Sequence, residues 1–149
     1  MINNIDLTKL IIRESNIRDL EHIYNISMSS FTNSWSLDSY IDNFKNVFSK
    51  YISLIYDNEL IGYLTSLIII DEVTITNIAI SKAYRGHGLS KYLLEYLINL
   101  YPNFGFFLEV RESNTVAINL YKSFKFKEIS TRLNYYTNPT ENAIIMKKF

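Results

Sequence analysis

The sequence contains no cysteine, only two histidines, two prolines and four glycines. The absence of cysteine excludes disulfides, thiolate nucleophiles and cysteine-ligated zinc, and it fits the reducing cytoplasm in which we expect the protein to act. His22 and His87 are too few for a three-histidine metal site, so we expect no metal cofactor.

An excess of charge of one sign is also missing, because 15 basic residues balance 15 acidic residues. A protein that coats nucleic acid would be strongly basic, so we expect no nucleic-acid partner. The longest aliphatic run, Leu67–Ile70, is far shorter than the ~18 residues that span a bilayer. The first residues lack the basic segment and apolar core of a signal peptide, and we expect no membrane association.

The chain has 149 residues, of which 48% are hydrophobic and 20% charged, enough for one folded domain over residues 1–149. Hydrophobic periodicity predicts short elements in the order β-α-α-β-β-β-α-β-α-β-β. The predicted strands cover 7–13, 51–56, 60–70, 74–80, 106–110, 126–135 and 143–146. The helices begin at Asn16, Leu37, Leu89 and Asn114. This order predicts an α/β (mixed α+β) fold in which 74–110 forms a parallel crossover.

Two of the scarce glycines, Gly86 and Gly88, lie in one loop between a predicted strand and the most regular predicted helix. Free N–H groups at a helix start, with glycines that let a ligand approach, form phosphate sites, and Arg85 and Lys91 add positive charge. An ordinary strand-to-helix turn would look the same. The dinucleotide fingerprint and the P-loop are excluded, because their third glycine and Gly-Lys-Ser/Thr are absent.

The segment Arg85-Gly86-His87-Gly88-Leu89-Ser90 instead resembles the Arg/Gln-x-x-Gly-x-Gly/Ala pyrophosphate loop of the GNAT acetyltransferases. Further segments resemble the ribosomal-protein-alanine N-acetyltransferase (RimI) group of that family, in the right order: Asn77–Ile80, Leu108–Asn114, Ala117–Phe126, Asn134–Tyr136 and Glu141–Met146. Lys125 stands where the group usually has glycine, and Asn142 where it has aspartate.

The resemblance implies the GNAT fold: a central mixed, twisted sheet of about seven strands with about four helices, splayed between the fourth and fifth strands. It implies acetyl-CoA as co-substrate, bound by Arg85, Gly86, His87, Gly88, Leu89, Ser90 and Lys91, by the backbone of Ile78, Ala79 and Ile80, and by Asn114. His87 could instead be a loop residue that faces solvent. Asn114 could instead be a simple helix cap.

Glu109 interrupts the apolar strand Phe106–Val110, where a carboxylate is costly unless it is paired or hydrated. From the residues alone, an ion pair with Arg111 or another cation explains it. The resemblance implies that Glu109 is the general base. Tyr121 fits a buried aromatic position, and the resemblance implies that it protonates the departing thiolate of coenzyme A.

The resemblance also implies transfer of acetyl to the N-terminal alanine of a small-subunit ribosomal protein, with Trp35, Tyr135 and Tyr136 on the acceptor side. Other protein N-termini, lysines or small amines are alternative acceptors. A non-catalytic acyl-CoA-binding module is a further alternative, although it would need neither Glu109 nor Tyr121.

Overall fold

The computed structural model describes residues 3–149 and contains the predicted order of elements. Met1 and Ile2, on which the expectation of no leader partly rests, lie outside the described residues. Within them, the strands are β1 (Leu10–Glu14), β2 (Ser49–Tyr56), β3 (Glu59–Ile69), β4 (Glu72–Ile80), β5 (Gly105–Arg111), β6 (Lys127–Tyr136) and β7 (Glu141–Lys148). The α-helices are α1 (Leu20–Ser30), α2 (Leu37–Lys45), α3 (Ser90–Leu100) and α4 (Thr115–Ser123).

The strands form one seven-stranded mixed sheet in the order β1-β2-β3-β4-β5-β7-β6 over residues 3–149. β4 and β5 are parallel, as the crossover predicts, whereas β1–β2, β5–β7 and β6–β7 are antiparallel. The register of β4 with β5 covers Glu72–Ile75 and Gly105–Leu108. Within the described residues it stops there, although β4 continues to Ile80 and β5 to Arg111. This early end of pairing is the splay that the resemblance implies.

The first predicted strand begins three residues too early. Leu7–Lys9 is a 3-10 turn, because the side chain of Asp6 accepts the N–H of Thr8 and caps it. The predicted cap at Asn16 is present, but it starts a second 3-10 turn that leads into α1. Asn16 and Asp19 form a reciprocal capping box there.

The described residues divide into two compact units, with boundaries inside β3, inside β4 and between α3 and β5. The expectation of a single domain remains a prediction. The first unit, 3–66 with 77–102, has a core in which helix α1 contributes Leu20 and Ile23, and α2 contributes Tyr40. The hydroxyl of buried Tyr40 donates to Ser27 at 2.7 Å, so the core satisfies its polar atoms as well.

Helix α3 of the first unit buries Leu93, Leu94 and Leu97 completely, as expected for leucines at helical spacing. Leu100, which continues the same spacing, is 39% exposed in the last turn. A large side chain at a helix end has less of the core to cover it.

The second unit comprises 67–76 and 103–149. In β5, Phe106, Leu108 and Val110 are buried, while the residues between them are half-buried. The period of two therefore places Glu109 on the face opposite the apolar core of this strand.

Helix α4 ends in a Schellman motif. The N–H of Lys125 donates to the carbonyl of Lys122 at 2.9 Å, and that of Phe126 to the carbonyl of Tyr121 at 3.1 Å. The rings of Phe126 and Tyr121 lie 5.6 Å apart, which is the apolar contact that usually accompanies this motif. Lys125 has the left-handed φ of +70° that the motif requires, and this requirement explains why glycine is usual at the position.

Candidate active site

A cavity of about 580 Å³ lies in the second unit, where β4 and β5 stop pairing. Glu109 is the first residue of β5 after the paired segment, and it lines this cavity. The remaining wall is formed by side chains from four strands: Glu72, Thr74, Ile75, Thr76, Phe107, Leu108, Arg132, Tyr135, Tyr136 and Ile145. The splay of the sheet therefore makes room beside a carboxylate.

The structure brings together three of the predicted site residues, namely Glu109, Tyr135 and Tyr136. A hydrogen bond from the Tyr135 hydroxyl to Glu109 raises the pKa of Tyr135. Burial, followed by the negative charge of Glu109, raises the pKa of Tyr136 to about 12. Both phenols are therefore protonated at neutral pH. Tyr136 can donate a hydrogen bond to a ligand, whereas the single O–H of Tyr135 is already donated to Glu109.

The cation beside Glu109 is Arg132, whose Nε lies 3.4 Å from Oε1 of the carboxylate. The sequence alone left two possible ion-pair partners for Glu109, Arg111 or another cation. The partner is another cation, Arg132, and not Arg111. Arg111 instead pairs with Glu141 at 3.3 Å and donates to the carbonyls of Thr137 and Pro139. Its guanidinium also lies over the ring of Tyr136, 4.4 Å from the centroid.

A bulge in β6 explains how these groups reach one cavity. Between the pairs Arg132–Ala143 and Tyr136–Glu141, β6 contains more residues than β7, and Asn134 has a φ of +53°. The N–H of Asn134 donates to the side chain of Asn142 at 2.9 Å. Asn142 thus supplies the acceptor oxygen that an aspartate would also supply. Bulges of this kind redirect side chains, and a pattern of period two does not reveal them.

Tyr121 is 4% exposed and is not among the residues that line the cavity within 3–149. Burial, followed by the proximity of Tyr136, raises the pKa of its phenol. Asn114 caps α4 by accepting the N–H of Ala117 at 3.2 Å, so the cap interpretation is correct. Its side-chain amide retains N–H groups for a further contact.

The glycine loop and the strand before it belong to the first unit. Gly86 and Gly88 have φ values of +84° and +68°, and a Cβ atom at either position would meet nothing within 4 Å. Both glycines are therefore required by the backbone conformation, and the space above them is open. Among the described residues, no side chain caps the start of α3. The N–H of Tyr92 donates to the carbonyl of Leu89 at 3.1 Å, which leaves the N–H groups at Ser90 and Lys91 for an anion.

Arg85 is fixed at the start of this loop by two hydrogen bonds. Its Nε donates to the carbonyl of Ile80 and its second amino group to the hydroxyl of Ser30, both at 2.9 Å. Ile78 is half-buried and Ala79 is buried, and both lie in the last part of β4. In the same unit His87 is half-buried, whereas Lys91 lies beside the ring of Tyr92, 5.0 Å from its centroid.

Trp35 lies in the first unit, between α1 and α2, and is 40% exposed. Its ring packs against buried Tyr40, with centroids 5.3 Å apart. Ser36, the next residue, caps α2 by accepting the N–H of Ser39 at 3.1 Å.

Arg132, which pairs with Glu109 on the cavity wall, was missed from the sequence. An arginine three residues before Tyr135 was the available signal for Arg132, but only the bulge shows that its side chain meets Glu109. The structure contains no helix long and apolar enough to cross a membrane within residues 3–149. In the same range it contains no group of three or more metal-ligating side chains.

Comparison with known proteins agrees with this geometry. The profile of the Acetyltransferase (GNAT) family matches residues 20–126. A Bacillus subtilis relative, named provisionally as a [ribosomal protein bS18]-alanine N-acetyltransferase, is 38% identical and covers 93% of this chain and 95% of its own.

Solved structures show the same likeness. The crystal structure of the ribosomal-protein-S18-alanine N-acetyltransferase from Escherichia coli has a TM-score of 0.87, with 32% identity over 93% of this chain and 92% of that one. Arabidopsis thaliana NAA60, solved in complex with acetyl-CoA, shares the fold at 19% identity with a TM-score of 0.84, over 94% of this chain and 99% of that one. These findings confirm the resemblance on which the sequence interpretation was based, and the chain belongs to the acetyltransferase (GNAT) family.

Proposed function

We propose that this acyltransferase moves the acetyl group of acetyl-CoA to the N-terminal alanine of a small-subunit ribosomal protein, by direct attack in a ternary complex. The observation that carries the proposal is the position of Glu109, on a cavity at the point where β4 and β5 separate, beside Tyr135 and Tyr136. The relatives named for this activity support it. The proposal includes a cytoplasmic location, where ribosomes and acetyl-CoA occur together.

The glycine loop suits the pyrophosphate of coenzyme A. Gly86 and Gly88 leave open space, the start of α3 offers N–H groups, and Arg85 is held in place by Ile80 and Ser30. Because Arg85 is already oriented, little side-chain entropy is lost when it meets an anion. The bound thioester supplies an activated acetyl group. The backbone of Ile78 and Ala79 is proposed to bind the pantetheine arm of the coenzyme.

The reaction needs a neutral amine, and the acceptor's pKa decides how much base catalysis is required. With a pKa near 8, roughly a fifth of an α-amine is neutral at pH 7.4, against about a thousandth of a lysine with a pKa near 10.4. One carboxylate, acting through a water, is therefore a sufficient general base for an α-amine. Glu109 takes the proton as the amine nitrogen bonds to the thioester carbon.

Tyr121 is the proposed proton donor to the sulfur as the carbon–sulfur bond breaks. Its raised pKa keeps the phenol protonated until the thiolate forms. Tyr136, whose phenol also has a pKa raised by burial, lines the cavity. Tyr135 and Tyr136 are proposed to hold the first residues of the acceptor through their rings. Trp35, in the first unit, is proposed as a further acceptor contact through its exposed ring.

A peptide assay with labelled acetyl-CoA tests the function. A peptide that begins with Ala or Ser should be acetylated much faster than the same peptide beginning with Lys or Trp, because a small first side chain lets the α-amine approach Glu109 on the cavity wall. Blocking the α-amine should abolish transfer even when internal lysines remain. Efficient transfer to a blocked, lysine-containing peptide or to a polyamine would reject the N-terminal acceptor. Binding of acetyl-CoA without transfer to any amine would favour a binding module.

Two variants test the proposed roles. Glu109→Gln and Tyr121→Phe should each lower kcat by about 10²–10⁴-fold, the usual contribution of a general acid or base. The Glu109 variant should recover in part at higher pH, where more of the amine is already neutral. Wild-type kcat in both variants at pH 7, with chemistry rate-limiting, would contradict the roles.

A further inference from the structure

The carboxylate of Glu109 is held from β6 by two groups. Arg132 Nε lies 3.4 Å from Oε1, and the hydroxyl of Tyr135 donates a hydrogen bond to the same carboxylate. The guanidinium of Arg132 also lies 5.6 Å from the centroid of the Tyr135 ring. The three side chains therefore form one contacting group on the wall of the cavity.

The other charged and titratable groups around Glu109 either interact with other residues or carry no positive charge that could pair with its carboxylate. Arg111, two residues along β5, is bound by Glu141 and by two carbonyls. Two further groups line the cavity: the acidic side chain of Glu72 on β4 and the protonated phenol of Tyr136 on β6. On β7, Lys147 lies over the ring of Phe107, 4.2 Å from its centroid. Within the described residues, Arg132 is thus the cation that pairs with Glu109.

Without these contacts, the carboxylate would be free to rotate. The side chain of Glu109 is 30% exposed, and β5 fixes only its backbone, through the pairing with Ile145. A glutamate has three side-chain torsions, and an open cavity restricts them little. A base that acts through one water must stay within hydrogen-bond reach of it.

We propose that Arg132 is a positioning residue for Glu109. Its guanidinium, together with the Tyr135 hydroxyl, fixes the direction of the carboxylate. The oxygen lone pairs of Glu109 that these two contacts do not use then point into the cavity, towards the acceptor amine. The inference rests on the proposed function, in which Glu109 takes the proton of the amine. Arg132 acts only through Glu109, and this makes the proposal testable by a double-mutant cycle.

The cycle uses the full-length chain, acetyl-CoA and the alanine peptide, with the variants Arg132→Gln, Glu109→Gln and both together. Arg132→Gln should lower kcat by about 10–100-fold, since a misplacement of about 1 Å in a catalytic group can cost about 10²-fold, and leave the KM for acetyl-CoA unchanged. In the Glu109→Gln background the same change should alter kcat by less than about twofold, because the group to be positioned is already lost. Arg132→Lys should recover part of the activity, since it restores the charge without the planar fork.

Lys127→Gln is the matched control, because it removes one positive charge from an exposed position on the same strand, outside the cavity wall. It should leave kcat and both KM values unchanged. Multiplicative losses for Arg132→Gln and Glu109→Gln would overturn the proposal and assign Arg132 to acceptor binding. A higher kcat or a lower acceptor KM in Arg132→Gln would also overturn it, since Arg132 would then compete with the amine for Glu109.

The pair is also tested without activity. In ¹⁵N-resolved NMR spectra, the Nε–H signal of Arg132 should shift in Glu109→Gln and stay unchanged in Lys127→Gln. No shift in Glu109→Gln would reject the pair. A wild-type protein inactive toward the alanine peptide would contradict the proposed function instead, and the NMR comparison would still decide whether Arg132 holds Glu109.

Discussion

Lys125 has a backbone conformation that costs free energy for any residue with a Cβ atom. Its φ of +70° is imposed by the Schellman motif, in which the N–H groups of Lys125 and Phe126 close the last turn of α4. The left-handed conformation costs a non-glycine residue about 1–2 kcal/mol. The side chain is exposed, so replacing it removes little packing.

We therefore expect Lys125→Gly to stabilise the protein. The relief of about 1–2 kcal/mol is offset by the greater freedom of glycine in the unfolded chain, worth about 0.4–1 kcal/mol. The net gain is about 0.5–1 kcal/mol in the free energy of unfolding. For a chain of 149 residues this corresponds to an increase of roughly 1–4 °C in Tm.

Urea unfolding followed by circular dichroism, with calorimetry for Tm, measures this gain. Lys125→Ala is the matched control, because it removes the same charge but keeps the Cβ atom, and it should gain little. Equal stabilisation by both substitutions would show that charge, not backbone strain, is responsible. A loss of stability in Lys125→Gly would refute the strain at this position altogether.

Three further predictions concern the first unit. Gly88→Val should raise the KM for acetyl-CoA more than tenfold, because it fills the open space above the loop, and an unchanged KM in the folded variant would reject that site. Ser30→Ala should raise the same KM severalfold by releasing Arg85, whereas Ser29→Ala, which removes a hydroxyl that donates to the same Ile26 carbonyl as Ser30 does, should not; equal effects would argue against this role. Asp19→Asn should cost roughly 2 kcal/mol at pH 7. Burial opposes ionisation of Asp19, but hydrogen bonds from Arg13 and others outweigh it and hold its pKa below 3.8. Its contribution is therefore present above about pH 4 and lost as pH falls through the folded-state pKa, so urea unfolding at successively lower pH should show the difference between wild type and variant shrink below about pH 4.

The parts of the fold that were predictable from the sequence depend on local physics. The alternation in Phe106–Val110 gave both the strand and the opposite orientation of Glu109, because side-chain direction in a strand has a period of two. The predicted strands 51–56 and 60–70 leave a gap of three residues, which is typical of a hairpin turn. In that turn Asp57 and Asn58 have the positive φ of such turns, 49° and 69°.

The parts that the sequence could not supply depend on residues far apart in the chain. The partner of Glu109 is 23 positions away, on a strand whose bulge changes the register between Arg132 and Tyr136. Arg111 looked available from its position two residues after Glu109, but its partner Glu141 is 30 residues away. Competition between such partners is settled by tertiary geometry, and local patterns do not contain it.

The carboxylate of Glu141 has a consequence for how this protein can vary. One oxygen accepts the N–H of Ser113 just before α4, and the other pairs with Arg111, whose guanidinium lies over Tyr136. A single substitution at Glu141 would disturb both the entry to the helix that carries Tyr121 and an aromatic wall of the cavity. Sequence drift at Glu141 should therefore be tolerated only with a compensating change at Arg111, so the two positions should co-vary in an alignment of close relatives even where neighbouring loop residues vary freely.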